Sequence, residues 1–189
     1  MTEDKIIKNC EKYNIENWTL NPQTNLIDVD NDVNLYNKNL TKLPLPFGDV
    51  HGFFNCGNNK LTSLEYSPKN VGDAFSCSNN KLTSLAYSPE NIGGSFNCRN
   101  NKISSLRNLF FNEDGQSKNI KIGGNLYCSL NPIPIYEYRW WFLGTMKGNV
   151  VDGKIYAGYD DLNDFLNKNK APDAKEIPNL FTELRKFEK

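Results

Sequence analysis

One stretch of sequence occurs three times at a constant interval: FNCGNNKLTSL at residues 54–64, FSCSNNKLTSL at 75–85 and FNCRNNKISSL at 96–106. Equivalent residues are 21 positions apart. Self-similarity with this period is typical of a solenoid, in which each copy forms one coil that stacks on the next. Because a solenoid exposes a long surface shared by all of its coils, this pattern favours a binding protein over an enzyme.

Each copy predicts one short strand followed by a turn. Phe54 and Cys56 alternate with small polar residues, as in a strand with one buried face. The two leucines that follow are expected to enter the core from the far side of the coil. Asn59 lies three residues after the cysteine, where its side chain can satisfy backbone groups of its own coil and of the neighbouring one. The predicted fold class is an α/β solenoid with short parallel strands stacked at the 21-residue period.

Weaker copies of the repeat lie on both sides of the three clear ones. Val33 and Leu35 precede Phe54 and Cys56 by 21 residues, and IGGNLYC at 122–128 resembles IGGSFNC at 92–98 at an interval of 30. The longer interval implies an insertion of about nine residues near 112–115, which we expect to bulge away from the strands. The solenoid is therefore predicted over residues 27–133.

The remaining segments are predicted to cap the ends of the solenoid, which would otherwise expose core residues. Within residues 1–26, Ile6, Ile7 and Cys10 recur at helical spacing, so we expect an amphipathic helix over the first coil. Residues 134–189 are predicted to form a C-terminal α+β cap. There, VVDGKIY at 150–156 is interpreted as a hairpin because Asp-Gly favours a type I′ turn, and helices are expected from Asp160 or Asp161 and from Pro178.

The five cysteines are Cys10, Cys56, Cys77, Cys98 and Cys128. An odd number without a secretion signal argues against a disulfide framework. Three of them recur at the repeat period, so they are expected to stack one per coil, ~4.8 Å apart. Such a line of sulfur atoms cannot converge on one zinc ion. We therefore expect buried, reduced thiols, and we predict neither a metal site nor a cofactor.

Composition argues against several classes of function. Lys plus Arg and Asp plus Glu both number 22, so no overall field favours nucleic acid or an anionic membrane. No apolar stretch approaches the ~20 residues of a membrane span. The first residues lack the apolar run of a signal peptide, which favours a cytoplasmic location. His51 is the only histidine and lies far in sequence from any isolated reactive Cys or Ser, so no catalytic residues are predicted.

The pattern Phe-x-Cys-x-x-Asn-x-Leu resembles the leucine-rich repeat, with Phe and Cys at two of the leucine positions. More narrowly, LTSL at 61–64 and 82–85, LTKLP at 40–44 and FGDV at 47–50 make the chain similar to small repeat proteins encoded by tailed bacteriophages. That resemblance brings no catalytic residues with it. It implies a viral or prophage protein that acts inside a bacterial host.

If Phe54 and Cys56 point inward, their neighbours in each strand point outward. The candidate binding residues on this strand face are Asp32, Asn34, Tyr36, Phe53, Asn55, Ser76, Asn97, Arg99 and Tyr127. Small polar residues of this kind are also compatible with a merely solvated sheet. A second candidate surface is the densest aromatic cluster, Tyr136, Tyr138, Trp140 and Trp141. Its other interpretation is a cap packed against the last coil.

The sequence thus predicts a non-catalytic protein–protein interaction module. The phage resemblance implies a protein that binds and modulates a host factor, such as a defence component, or a structural or assembly protein of the virus. A carbohydrate or small-ligand binder is a further alternative, although Ala, Ser and Gly interrupt the outward aromatic columns. A small enzyme built on residues 134–189 is the least favoured, because this segment has no histidine to act as a general base.

Overall fold

The computed structural model describes residues 1–146, 149–158, 160–169, 172 and 175–187. Within this part the chain is an α/β solenoid. The strands, in chain order, are β1 (Trp18–Leu20), β2 (Ile27–Val29), β3 (Val33–Asn34), β4 (Phe47–Val50), β5 (Phe54–Asn55), β6 (Asn70–Val71), β7 (Phe75–Ser76), β8 (Asn91–Ile92), β9 (Phe96–Asn97), β10 (Lys121–Ile122), β11 (Leu126–Tyr127), β12 (Val150–Val151) and β13 (Ile155–Tyr156).

These strands form two sheets that run side by side along the solenoid. Sheet A has the order β1-β2-β4-β6-β8-β10-β12, and sheet B has the order β13-β11-β9-β7-β5-β3. Each coil crosses sheet A and then sheet B, and neighbouring coils pair in parallel. β1 pairs with β2 and is antiparallel to it. The period-two pattern predicted strands of sheet B, whereas the strands of sheet A were not predicted, apart from residues 150–151 as one arm of a hairpin.

The hairpin predicted at residues 150–156 is wrong. β12 pairs in parallel with β10 in sheet A, and β13 pairs in parallel with β11 in sheet B, so the two strands belong to different sheets. Asp152 has no positive φ, which the type I′ turn would require. This segment is a further coil, and the two sheets continue past residue 133.

The core between the sheets repeats with the coils. The rings of Phe54 and Phe75 stack with their centroids 5.7 Å apart, and Phe75 meets Phe96 edge to face at 5.2 Å. The side chains of Cys56, Cys77, Cys98 and of the paired leucines that follow them are fully buried, as predicted from the repeat. Burial raises the pKa of Cys56 to about 12 and that of Cys77 and Cys98 well above its ordinary value. These thiols are therefore protonated and poorly nucleophilic at neutral pH.

In four coils, one largely buried asparagine side chain fastens the coil to the preceding one. Asn80 Nδ2 donates to the carbonyl oxygens of Cys77 (3.1 Å) in its own coil and Cys56 (3.0 Å) in the preceding coil. Its Oδ1 accepts the backbone N–H of Leu61 at 2.9 Å. The same contacts recur at Asn59, Asn101 and Asn131. The expected role of this residue is confirmed, with Asn131 as a member that the sequence analysis had not identified.

Glycines occupy the corners between sheet A and sheet B because the coils approach closely there. A methyl group on Gly72 would overlap the carbonyl oxygen of His51, and one on Gly93 would overlap the carbonyl oxygen of Gly72. Neither glycine has a positive φ. The constraint at these corners is therefore the space between stacked backbones rather than an unusual backbone conformation.

Helices lie before, within and after the coils. They are α1 (Glu3–Tyr13), α2 (Arg107–Phe110), α3 (Arg139–Met146), α4 (Asp160–Lys168) and α5 (Ile177–Leu184), with 3-10 helices at Ile135–Tyr138 and Arg185–Phe187. In α1, Ile6 and Cys10 are buried in the core, whereas Ile7 is 38% exposed. The helices expected from Asp160 and Pro178 are confirmed as α4 and α5. The insertion contains α2 and an antiparallel bridge between Phe111 and Ser117.

α4 ends sheet B by supplying side-chain amides in place of another strand. Asn167 Oδ1 accepts the N–H of Ile155 and its Nδ2 donates to the carbonyl oxygen of the same residue, both at 2.9 Å. Asn163 Oδ1 accepts the N–H of Ala157 at 2.6 Å. The backbone groups of β13 that would pair with a further coil are therefore satisfied. No helix in the described ranges is both long and apolar enough to cross a membrane.

Replacing Asn80 with alanine is expected to lower the free energy of unfolding by about 2–4 kcal/mol, because more than one buried backbone group would lose its partner. Chemical denaturation measures this loss. Thr83→Ala, at an exposed position three residues later, is the matched control and should change stability by less than about 0.5 kcal/mol. Equal stability of the two variants would contradict the role given to the asparagine.

Gly93→Ala is expected to destabilise the protein by about 1–3 kcal/mol or more, since the added methyl group has to separate two stacked backbones. Thermal unfolding followed by circular dichroism tests this, with Ser104→Ala at an exposed site as the control. A melting temperature within about 1 °C of the parent protein would show that the corner has room for a side chain.

Candidate interaction surface

The outward face of sheet B carries one column of side chains in strict register. Pairing of the parallel strands places Asn34, Asn55, Ser76, Asn97, Tyr127 and Tyr156 next to one another from the first coil to the last. All six are partly or fully accessible. The outward orientation predicted for this column is therefore observed, and the column changes from small polar residues to aromatic ones along the solenoid.

In the first coils the outward polar side chains bond to their own strand. Asn34 Oδ1 accepts the N–H of Tyr36 at 3.1 Å, and Asn55 Oδ1 accepts the N–H of Gly57 at 3.0 Å. The Oγ atoms of Ser76 and Ser78 are 3.2 Å apart. These bonds shape the strand ends, which is the usual role of Asn and Ser at such positions.

Three other candidate residues lie at the edge of this face. Asp32 Oδ1 accepts the N–H of Phe53, in the next coil, at 2.9 Å. Phe53 is half-buried, and Tyr36 is exposed. Tyr36 belongs to the first coil and Arg99 to the fourth, so the structure does not bring together all of the residues predicted on this face.

At the C-terminal end of the face, three side chains form one stack. The ring of Tyr127 lies 4.9 Å from that of Tyr156, with 14° between the planes. The guanidinium of Arg99 lies over Tyr127, with Cζ 4.7 Å from the ring centroid. We call these three residues the Arg–Tyr stack. Tyr127 occupies its centre, one coil from each neighbour, so the stack spans three coils.

Polar neighbours hold the Arg–Tyr stack in place. Asn97 Oδ1 accepts both the backbone N–H of Arg99 at 3.2 Å and its Nε–H at 3.3 Å. Asn125 Nδ2 donates to the hydroxyl of Tyr127 at 2.9 Å. Because these contacts fix the arginine and the central ring before any partner arrives, little side-chain freedom remains to be lost on binding.

Leu130 extends this region as an exposed apolar side chain. Its side chain is 74% exposed and its φ is +58°. In the three preceding coils the equivalent residues are Asn58, Asn79 and Asn100, which have the same left-handed backbone. Asparagine tolerates this conformation, whereas for leucine it costs roughly 1–2 kcal/mol. Nothing in the fold requires leucine here, because asparagine serves in the other coils.

The sequence analysis missed both Tyr156 and Leu130. VDGKIYA at 151–157 aligns with IGGNLYC at 122–128 at an interval of 29, which pairs Tyr156 with Tyr127. The Asp-Gly dipeptide had suggested a hairpin and concealed this copy. Leu130 follows Cys128 by two residues, as Asn58 follows Cys56. Comparison of the repeats therefore identifies Leu130 as a copy in which leucine replaces asparagine.

The aromatic cluster of residues 136–141 is mainly packed inward. Tyr138 and Trp141 are buried, and Trp141 Nε1 donates to the carbonyl oxygen of Leu166 at 3.0 Å. Trp140 is half-buried with its ring 5.6 Å from that of Phe111. Tyr136 is 48% exposed. Since two of the four candidates are inaccessible, this geometry favours the packing interpretation over a binding surface.

A shallow depression at the N-terminal end of the solenoid is polar and acidic. Asp30, Asp32, His51 and Glu16 line it, and His51 Nδ1 lies 3.0 Å from Asp30 Oδ1. In the described part of the chain, no three His, Cys, Asp or Glu side chains are placed to hold a metal ion together.

Comparison of the chain with protein-family models, with curated proteins and with solved structures gave no match.

Proposed function

We propose that this protein is a non-catalytic solenoid of the leucine-rich-repeat type that binds another protein through the C-terminal half of the sheet B face. The observation that carries this proposal is the Arg–Tyr stack beside the exposed Leu130. Tyrosine and arginine are the side chains most enriched among residues that dominate binding energy in protein interfaces. A preformed stack of these residues with an adjacent apolar side chain has that composition.

The energetics of Leu130 support a binding role for this region. An exposed leucine gains nothing from burial, and its left-handed backbone is unfavourable. A residue that lowers the stability of the free protein is expected where it contributes to activity. Burial of Leu130 under a partner would recover the apolar contribution that the free protein lacks.

The ends of the solenoid support the capping roles expected from the sequence. At the start, Ile6 and Cys10 of α1 are buried, and β1 covers the edge of sheet A. At the other end, Asn163 and Asn167 satisfy β13. The chain itself thus closes the first edge of sheet A and the last edge of sheet B, and the lateral sheet faces are the extended surfaces that we propose for a partner.

The resemblance to phage-encoded repeat proteins supports a viral or prophage origin and an action inside a bacterial host. Our proposal is therefore a host factor as the partner, with a virion or assembly protein as the alternative partner. Sugar binding is less well supported. Small residues such as Gly57, Ala74 and Ser95 interrupt the outward aromatic columns, and Tyr127 lies between Arg99 and Tyr156.

Affinity capture of the tagged protein from a bacterial lysate, followed by mass spectrometry, tests this function. We expect one protein to be enriched by the parent chain and lost by both Arg99→Glu and Tyr127→Ala. Each change should weaken the purified complex by about thirtyfold or more, which corresponds to about 2 kcal/mol.

Two matched variants control for charge and aromatic content. Arg185→Glu makes the same charge change at an exposed residue, and Tyr87→Ala removes an exposed tyrosine that lies outside sheet B. Both should retain the captured protein. A partner that survives Arg99→Glu and Tyr127→Ala, or one lost equally from the controls, would reject the Arg–Tyr stack as the binding site.

Leu130→Asn separates stability from binding. Asparagine restores the residue type of the other coils, so the free energy of unfolding should rise by about 1 kcal/mol. Binding of the captured protein should weaken at the same time, because an apolar contact is removed. Denaturation and calorimetric titration measure the two effects. A variant that is more stable and binds as tightly as the parent would remove Leu130 from the interface.

A further inference from the structure

Three lysines recur from coil to coil in the turn that follows the strands of sheet B. Lys60, Lys81 and Lys102 each follow the buried asparagine of their coil and are exposed. We call them the lysine ridge. In the described part of the chain none of the three makes an ion pair.

The fold uses only the backbone of these residues. The N–H groups of Lys60, Lys81 and Lys102 donate to the carbonyl oxygens of the preceding coil at 2.7, 2.9 and 2.8 Å. In the first coil the equivalent residue is Asn39, and after Asn131 it is Pro132. Since uncharged residues occupy this position in other coils, the lysine side chains are not required to form the turn.

Stacking three lysines is unfavourable for the free protein. Neighbouring coils of a sheet are ~4.8 Å apart, which is less than the screening length of about 8 Å at physiological salt. Repulsion between the three ammonium groups is therefore only partly screened by salt.

Charge is polarised along the strands of sheet B even though the chain has equal numbers of acidic and basic residues. Asp30, Asp32 and Asp73 are exposed at the corner where the strands begin, whereas the lysine ridge lies beyond their ends. In the last coil, this corner carries both an acidic and a basic exposed residue, Asp152 and Lys154. The zero net charge of the sequence thus conceals an acidic corner and a basic rim.

Arg99 continues the basic rim onto the sheet face. It lies three residues before Lys102 in the same turn. Asn97 engages its Nε, and Tyr127 lies against one face of its guanidinium. This leaves the terminal nitrogens as an oriented pair of donors, the geometry in which arginine binds a carboxylate with two hydrogen bonds.

From this geometry we infer that the lysine ridge and Arg99 bind an acidic segment of a protein partner, with aspartate or glutamate carboxylates as the groups recognised. This inference rests on the proposed function and specifies the chemistry of the partner. A carboxylate-bearing protein segment fits better than nucleic acid. Tyr127 lies between Arg99 and Tyr156 and so has no open face on which a base could stack.

Fluorescence anisotropy with labelled poly-L-glutamate as the probe tests the inference directly. The parent protein should bind this probe, and binding should weaken as salt is raised. The triple variant Lys60→Glu, Lys81→Glu, Lys102→Glu should bind roughly tenfold or more weakly. The triple variant Lys5→Glu, Lys8→Glu, Lys121→Glu makes the same charge change on α1 and sheet A and should bind like the parent.

Lys81→Gln provides a check that does not depend on a large charge reversal. It should weaken poly-L-glutamate binding while the melting temperature stays equal or rises, because repulsion in the ridge is relieved. A fall in both quantities would indicate a structural role for the lysine and overturn the inference.

Three further results would also overturn it. They are absence of poly-L-glutamate binding, equal loss in both triple variants, and tighter binding of a single-stranded oligothymidylate than of poly-L-glutamate. The proposed function is tested separately through its captured protein. A partner lost by Tyr127→Ala but kept by the ridge variant would leave that function standing and reject the ridge. Poly-L-glutamate binding that depends on the lysine ridge, without any captured protein that depends on Tyr127, would support the ridge and reject the proposed function.

Discussion

The hydrogen bonding of one asparagine amide in each of four successive coils is the constraint on which the rest of the structure depends. Each coil turns sharply after its sheet B strand, and that turn leaves backbone groups pointing inward, away from water. A single asparagine side chain serves both its own coil and the preceding one. Because an unpaired buried polar group is costly, the asparagine fixes the height and register of the next coil. The stacked phenylalanines, the buried thiols and the outward columns all inherit their alignment from it.

The sequence predicted sheet B well because its signals are redundant. Phe54, Cys56 and Asn59 recur with one spacing, and each repeat supports the interpretation of the others. Sheet A was missed although its strands are no shorter than those of sheet B. In most coils only one apolar residue of the sheet A strand is buried and a glycine follows it, so the stretch shows no alternation and has the signature of a turn. The copy at 151–157 was missed for a different reason. A strong local turn signal at Asp152 competed with a weak long-range similarity, and tertiary stacking overrode the local preference.

The sequence predicted which residues face outward from sheet B, but it did not predict which interactions these residues make with one another. Alternation along a strand shows which residues face solvent, and it cannot show which of them interact across coils. The asparagines of the first coils bond to their own backbone, whereas Arg99, Tyr127 and Tyr156 stack on one another. The difference arises from the identity of the neighbour one coil away, which depends on the register. The same register places Lys60, Lys81 and Lys102 in successive coils as the lysine ridge.

The termination of sheet B by α4 has a consequence for how this chain can change in length. The amides of Asn163 and Asn167 form these hydrogen bonds with β13 and with no internal coil. The residues that terminate sheet B therefore lie outside the repeating unit. Duplication of an internal coil would lengthen the solenoid and leave its last edge closed to other molecules. Loss of α4, in contrast, would uncover a strand edge able to recruit further chains end to end. The number of internal coils can therefore change without altering the contacts by which α4 closes the last strand of sheet B.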